Sequence, residues 1–104
     1  MRRIIEGKRY DTASATLVAE ARSGENCTDF AYFEETLYRT PSGAWFLYGE
    51  GGGLSKYREA LSEHSWCGGS RITPLTPDEA MAWLEDHDET EALERHFAEA
   101  IQDA

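Results

Sequence analysis

The chain has 104 residues, of which 40% are hydrophobic, and its formal net charge is −10. This length and apolar content suit one domain spanning residues 1–104. No apolar run approaches the ~20 residues that a membrane-crossing helix needs. The N-terminus has basic residues but lacks the apolar stretch of a secretory signal, so we expect a cytoplasmic protein.

The negative charge is concentrated near the C-terminus. Residues 78–104 hold ten acids and one base, a net of −9, whereas residues 1–77 hold ten acids and nine bases, a net of −1. A net charge of magnitude about 2 to 8 already serves solubility in a small domain, so solubility alone explains this excess poorly. Direct binding to nucleic acid is disfavoured, because phosphates require a partner of the opposite charge.

The N-terminal pattern predicts a short hairpin followed by a helix. Residues 2–10 are typical of two short strands joined by the turn Glu6-Gly7. Asp11 or Thr12 is suited to cap a helix, and residues 13–22 carry apolar side chains at helical spacing. We therefore expect an N-terminal helix over residues 13–22.

The clearest local pattern predicts a β-hairpin over residues 30–48. Strand-forming residues flank the tight turn Thr40-Pro41-Ser42-Gly43. The second strand, residues 44–48, is apolar on both faces and is therefore expected to lie centrally in the sheet. The glycine-rich residues 49–53 predict a mobile or sharply turning connection. A short helix or irregular segment over residues 54–61 and a last strand over residues 70–75 are expected to follow.

Two helices are predicted after residue 75. The run Thr76-Pro77-Asp78-Glu79 combines an N-cap, a proline at the first helical position and a capping box. Asp88 is suited to cap a further helix, whose apolar face consists of Leu93, Phe97, Ala100 and Ile101. The predicted fold class is therefore α+β, a small antiparallel β-sheet with an N-terminal helix and one or two C-terminal helices packed on it.

The sequence contains no motif that indicates catalysis or metal binding. There is no Gly-x-Ser-x-Gly motif, and the glycine-rich residues 49–53 lack the spacing of a phosphate-binding loop. Zinc would need paired ligand spacings, which are missing from the set Cys27, His64, Cys67 and His87. We expect a non-catalytic protein without a metal or other cofactor. An enzyme acting on a phosphorylated small molecule at the glycines is a weaker alternative.

The C-terminal acids are the remaining candidate feature. If residues 78–104 form helices rising about 1.5 Å per residue, ten acids give about one charge per 4 Å, close to the ~3.4 Å between phosphates along one strand of B-DNA. Such a surface favours a positively charged partner and resembles a nucleic-acid backbone. The predicted contact residues are Glu85, Asp86, Asp88, Glu89, Glu91, Glu94 and Glu99, with Glu34, Glu35 and Glu50 as secondary candidates if the hairpin shares that face.

Three segments of the chain carry a resemblance to a known group of proteins. They are residues 3–12 (RIIEGKRYDT), residues 35–57 (with ETLYRT, WFLYGEGG and SKY) and residues 66–85 (with PLT and WLE). Together they resemble a family of small uncharacterised acidic proteins carried by bacterial mobile elements and phages, a resemblance that implies no catalytic residue. Small accessory proteins of this kind are similar in class to anti-CRISPR inhibitors, several of which block a nucleic-acid channel by mimicking its charge.

Two functions of different classes follow. The first is an anti-CRISPR-like inhibitor that uses an acidic, DNA-mimicking surface to block a nucleic-acid-binding site on a host defence complex. Its expected partner is a basic nucleic-acid-binding protein such as a CRISPR effector subunit. The inhibitor would act as a monomer in the bacterial cytoplasm, contacting neither nucleic acid nor membrane. The alternative is a regulatory or antitoxin-like protein that binds through an aromatic patch, because aromatic side chains dominate binding hot spots; its anchors would be Trp45, Tyr48, Tyr57 and Trp66.

Overall fold

The computed structural model describes residues 1–23, 32–53, 55–62 and 65–104, with the backbone alone at residues 23, 61, 62, 65 and 66. Strands and helices alternate little along this part of the chain, because both α-helices follow the last strand. The elements are β1 Arg2–Ile5, β2 Lys8–Asp11, β3 Thr16–Ser23, β4 Phe33–Arg39, β5 Trp45–Gly51, β6 Glu59–Ser62, β7 Ser65–Cys67, β8 Gly69–Leu75, α1 Pro77–Asp86 and α2 Thr90–His96, with a 3-10 turn at Ala98–Ala100.

A four-stranded antiparallel sheet in the order β3-β4-β5-β8 organises the fold. The β1-β2 and β6-β7 pairs each form a separate antiparallel ribbon. This arrangement confirms an antiparallel α+β fold with helices at its C-terminal end. It also confirms that residues 44–48 lie centrally, since β5 pairs with β4 on one side and with β8 on the other. None of the helices in the described residues is long and apolar enough to cross a membrane.

Two predicted turns are confirmed by their backbone geometry. Glu6 and Gly7 both have positive φ, 51° and 78°, as a two-residue hairpin turn matched to the twist of its strands requires. In the second hairpin, the Thr40 carbonyl accepts from the Gly43 N–H at 2.9 Å, and the Thr40 Oγ1 accepts from the Ala44 N–H at 3.0 Å. Both hairpins are therefore specified by residues close together in the sequence.

The predicted N-terminal helix over residues 13–22 is wrong, because residues 16–23 form strand β3. The Oδ1 of Asp11 accepts a hydrogen bond from the Ala13 N–H at 2.9 Å. This bond forms an Asx-turn, and no helix begins there. β3 then pairs with β4 along its length, with a bulge between Leu17 and Ala19. Helix propensity is a weak preference that tertiary pairing overrides, and here the alanine-rich segment forms the edge strand of the sheet.

The glycine-rich segment also differs from its prediction. Residues 49–51 extend β5, where a mobile or turning connection was expected. A Cβ at Gly49 would lie 1.8 Å from the Cζ of Tyr57, so a glycine is needed for the tyrosine ring to lie against the strand. Of the short helix or irregular segment expected over residues 54–61, residues 55–58 are irregular and the residues from 59 form β6.

The four-stranded sheet is covered on both faces. On one face the helices bury a core cluster of Ala19, Leu37, Trp45, Leu47, Ala80 and Leu84. On the other face the β1-β2 hairpin places Tyr10 against Phe46, with ring centroids 5.6 Å apart, and these two side chains pack with Ile72. Because neighbouring residues of a strand point to opposite faces, this division fixes which side chains face the helices.

The start of α1 is built as the sequence predicts. Thr76 Oγ1 accepts from the Glu79 N–H at 3.1 Å, and the Glu79 Oε1 accepts from the Thr76 N–H at 2.9 Å, with Pro77 as the first helical residue. Two of the N–H groups that a helix start leaves unpaired are thereby satisfied.

The second helix differs from its prediction at both ends. Asp88 has φ of 55° and does not cap it, and α2 begins after Glu89 instead. The helix ends at His96, so the proposed apolar face is divided. Leu93 and Phe97 pack on the helix-side core, whereas Ile101 is 39% exposed.

Replacing Thr76 with alanine is expected to lower the free energy of unfolding by about 1 kcal/mol, because the Glu79 N–H loses its acceptor. Thr76→Ser keeps the hydroxyl and should retain most of the stability. Chemical denaturation of the three proteins measures the difference. Equal stability of the alanine and wild-type proteins would contradict the contribution assigned to this cap.

Candidate acidic interaction surface

Six carboxylates surround the turn between α1 and α2. Two stand in the last turn of α1, two in the connection and two on α2. Five of the six are exposed, and Glu89 is half-buried. We name this set the α1–α2 acidic surface, which consists of Glu85, Asp86, Asp88, Glu89, Glu91 and Glu94.

Two of these six acids are placed where they weaken the fold. The C-terminal end of a helix carries partial negative charge, so each acid there costs roughly 0.3–1 kcal/mol at low ionic strength. Glu85 and Asp86 occupy this position in α1, whose last turn contains no basic residue. None of the six acids forms a salt bridge with a Lys or Arg in the described part of the chain. Glu85 and Asp86 are therefore charges that the helix end does not compensate.

The surface is a patch, because α2 folds back beside α1. Glu85 and Glu94 line a cleft of about 330 Å³, whose apolar wall is formed by Met81, Leu93 and Ile101. The two helices thus bring together acids that are nine positions apart in the sequence. The expected comparison with a line of phosphates along one DNA strand does not hold for this arrangement.

Three of the other predicted helix acids, Glu89, Glu91 and Glu99, line clefts different from that of Glu85 and Glu94. Glu89 and Glu91 line a second cleft, of about 190 Å³, together with Arg95 and the first residues of β3. Glu99 follows the end of α2 and lines a separate cleft that also includes Arg95. The structure therefore groups Glu85 with Glu94 and Glu89 with Glu91 at two separate clefts, and Glu99 lies outside the α1–α2 acidic surface.

Two of the secondary candidates lie on the opposite face of the sheet. Glu34 and Glu50 are cross-strand partners on β4 and β5, and they line an open cleft of about 700 Å³ with Glu59. Glu34 also lies 3.7 Å from the Nε of Arg22. Glu34 and Glu50 were secondary candidates on the condition that the hairpin shares the face of the helix acids, and this condition is not met, because the sheet separates the two sets.

Glu35 points toward the helices but is buried, with 3% of its surface exposed. Its carboxylate accepts hydrogen bonds from the Tyr57 hydroxyl and from Trp83 Nε1 at 3.4 Å, and forms a salt bridge with Lys56 Nζ at 2.8 Å. Three elements, the sheet, the 55–57 segment and α1, meet at this one side chain. Glu35 is thus a structural group, which corrects its assignment as a partner contact.

The protonation state of this network follows from its contacts. Burial alone would raise the pKa of Glu35, but hydrogen bonds from Lys56, Tyr57 and Trp83 and the Lys56 charge outweigh it, so the pKa lies below the ordinary 4.5. Burial, followed by the hydrogen bond to Glu35, raises the pKa of Tyr57. The phenol therefore stays protonated and donates to a charged carboxylate.

The lowered pKa of Glu35 predicts a pH dependence of stability. A carboxyl group with a lower pKa in the folded state stabilises the fold above its unfolded-state pKa and loses that contribution as pH falls through the folded-state pKa. The free energy of unfolding should therefore decrease as pH drops below 4.5, and the decrease should be smaller in Glu35→Gln. Denaturation curves across this range measure both proteins. Parallel pH profiles would show that Glu35 does not contribute as described.

The contacts of Glu35 could not be read from the sequence. Lys56, Tyr57 and Trp83 lie 21, 22 and 48 positions away from it, and no motif joins them. The usable sign is a charged residue between Phe33 and Leu37 in the alternating pattern of the strand. Such a residue needs a buried partner, which the sequence does not identify.

The aromatic patch is only partly accessible. Trp45 and Tyr57 are 3% and 5% exposed, so neither can anchor a partner without unfolding the core. Tyr48 is half-buried on the opposite face of the sheet. The side chain of Trp66 lies outside the described residues, as do Cys27 and His64 of the zinc combination that the sequence disfavours.

Comparisons with known proteins add no assignment to this geometry. No family model, curated protein or solved structure matches the chain. Within the described ranges, no three His, Cys, Asp or Glu side chains are placed to hold a metal ion. The fold and surface together describe an α+β protein with an acidic patch at a helix–helix turn.

Proposed function

We propose that this protein is a non-catalytic inhibitor that binds the nucleic-acid-binding site of a basic protein, such as a CRISPR effector subunit, through the α1–α2 acidic surface. The observation that carries the proposal is the set of six carboxylates around one helix turn, none of them paired with a described Lys or Arg. A basic groove that binds phosphates would find Glu85 and Glu94 at one cleft of this surface and Glu89 and Glu91 at another.

The anchoring of the two helices supports this role. Ala80 and Leu84 of α1 are fully buried against the sheet. Phe97, directly after α2, stacks on Trp45 with ring centroids 5.1 Å apart. The backbone that carries the acids is thus held in place before binding, which reduces the ordering cost of association.

The proposed inhibition is a competition for cations. Lys and Arg side chains that would neutralise phosphates bind carboxylates instead, and the excess negative charge of residues 78–104 speeds the encounter. Both effects are electrostatic, so they weaken as salt rises. No chemical step is required of the protein, and it needs no cofactor for this function.

The proposal is tested by DNA cleavage with a panel of purified CRISPR effector complexes. We expect the protein to inhibit at least one complex at near-stoichiometric concentration, with inhibition weakening between about 50 and 200 mM salt. Inhibition that is independent of salt would indicate contact through another surface. Absence of inhibition throughout the panel would remove the effector complex as the partner.

A further inference from the structure

The outward face of the β1-β2 hairpin combines an apolar side chain with cations. The strand register places Ile4 opposite Arg9, and Arg2, two residues before Ile4 on the same face, stands opposite Asp11. Tyr10 is buried against the sheet, so the alternate residues of this ribbon face outward. Ile4 is 66% exposed and is the most exposed large hydrophobic residue of the described chain.

The cations beside Ile4 are free to meet a partner. Arg2 and Arg9 form no salt bridge with a residue that the structure describes. Together with Arg3 and Ile4 they line a cleft of about 440 Å³. Arginine is enriched in protein interfaces, because its planar guanidinium can pair with a carboxylate through two hydrogen bonds.

A surface of matching chemistry lies at the other end of the same chain. The cleft formed by α1, α2 and the residues after α2 has an apolar wall of Met81, Leu93 and Ile101, and its rim carries Glu85 and Glu94. Ile101 itself is 39% exposed, so this apolar wall is open to a partner. The hairpin presents an aliphatic side chain between two cations, and the cleft presents an apolar wall between two carboxylates. The two surfaces are therefore complementary.

We propose that the β1-β2 hairpin of one copy docks into this cleft of a second copy, with Ile4 against the apolar wall and Arg2 and Arg9 beside Glu85 and Glu94. The contact joins two different surfaces, so it generates a ring if the rotation closes and an open chain of subunits if it does not. Its charges remain near solvent, and the copies repel through their net charge of −10. The association is therefore weak and requires high protein concentration.

Self-association of this kind covers part of the α1–α2 acidic surface. Glu85 and Glu94 belong both to the docking cleft and to the surface assigned to partner binding. A basic partner and a second copy of the chain consequently compete for the same carboxylates, and dilution favours the free, inhibitory form. The self-association goes beyond the proposed function and does not depend on it.

A charge-swap experiment tests the docking. Sedimentation equilibrium at low salt should show that the average mass of the wild-type protein rises with concentration and that this rise disappears at high salt. R2E/R9E places acids on the hairpin, and E85R/E94R places cations on the cleft. Each variant alone should stay monomeric, because its hairpin and cleft then carry the same charge.

Mixing the two variants provides the decisive control. The Glu-bearing hairpin of R2E/R9E meets the Arg-bearing cleft of E85R/E94R, and the two unaltered surfaces also match, so the mixture should associate. Ile4→Ser, which leaves the charges unchanged, should weaken the association of the wild-type protein. A wild-type protein that stays monomeric at every concentration overturns the docking, as does a mixture that remains monomeric.

The same variants separate this inference from the proposed function. R2E/R9E keeps all six acids of the α1–α2 acidic surface, so we expect it to inhibit as well as the wild-type protein does. Loss of self-association with retained inhibition supports both proposals. Charge-swap association without inhibition of any effector would leave the docking standing and remove the proposed function alone.

Discussion

Replacing Glu35 with alanine is expected to lower the free energy of unfolding by roughly 3 kcal/mol, since removing one partner of a buried charged network leaves the others without their hydrogen bonds. Tyr57, which is 5% exposed, loses the acceptor for its hydroxyl, and Trp83 loses the acceptor for Nε1. Three elements that meet at this carboxylate would also lose their common contact. Urea denaturation measures the change.

Lys56→Ala is the matched control for this prediction. The Lys56 side chain is 52% exposed, so its ammonium is hydrated before and after the change and its removal should cost much less than the loss of Glu35. Glu35→Gln keeps the size of the side chain and should fall between the two. A Glu35→Ala protein no less stable than Lys56→Ala would contradict the structural role of the network.

Reversing four acids of the α1–α2 acidic surface, as E85K/D86K/E91K/E94K, is expected to weaken inhibition by more than about 100-fold while the fold survives. Four contacts worth about 1 kcal/mol each, together with the new repulsion, exceed the ~2.7 kcal/mol that such a loss requires. Removing acids from the end of α1 should offset the loss of Glu91 at the start of α2. Dose–response curves for inhibition and thermal unfolding measure the two effects.

The control variant changes the same amount of charge elsewhere. Glu6, Glu20, Glu50 and Glu59 are exposed and lie outside the helices, so E6K/E20K/E50K/E59K shifts the net charge by the same amount without altering the patch. It should retain inhibition within a few-fold at physiological salt. Equal losses in the two variants would show that net charge matters and that its position does not.

The parts of the fold that were predictable are those specified by neighbouring residues. The turn at Glu6-Gly7 needs only two residues that tolerate positive φ, and the α1 start needs only Thr76, Pro77 and Glu79. Each of these signals is complete within a few positions. The predictions of this turn and of this helix start were therefore correct without any knowledge of long-range packing.

The parts that could not be predicted depend on contacts between distant segments. Residues 16–23 have the alanine content of a helix, and only the pairing of β3 with β4 makes them a strand. Gly49 similarly resembles a loop residue until the Tyr57 ring is placed against it. Both outcomes follow from tertiary packing, which local propensity does not contain.

The candidate site also has a part that the sequence predicts and a part that it does not. The sequence locates the excess charge in residues 78–104, and the structure places Glu85 and Glu94 at one cleft. The sequence could not show that Glu35 is buried while its neighbour Glu34 lies on the opposite sheet face. Strand alternation separates the two residues, but which face receives the helices depends on the complete fold.

The most direct measurement is the concentration of this protein needed for half-inhibition of an effector complex as the concentration of target duplex DNA is raised. If the α1–α2 acidic surface occupies the DNA-binding site, that concentration should rise in proportion to the DNA once DNA exceeds its own dissociation constant, and no complex containing both should form. A half-inhibition concentration that does not change with DNA, or a stable complex of effector, DNA and inhibitor, would contradict the account.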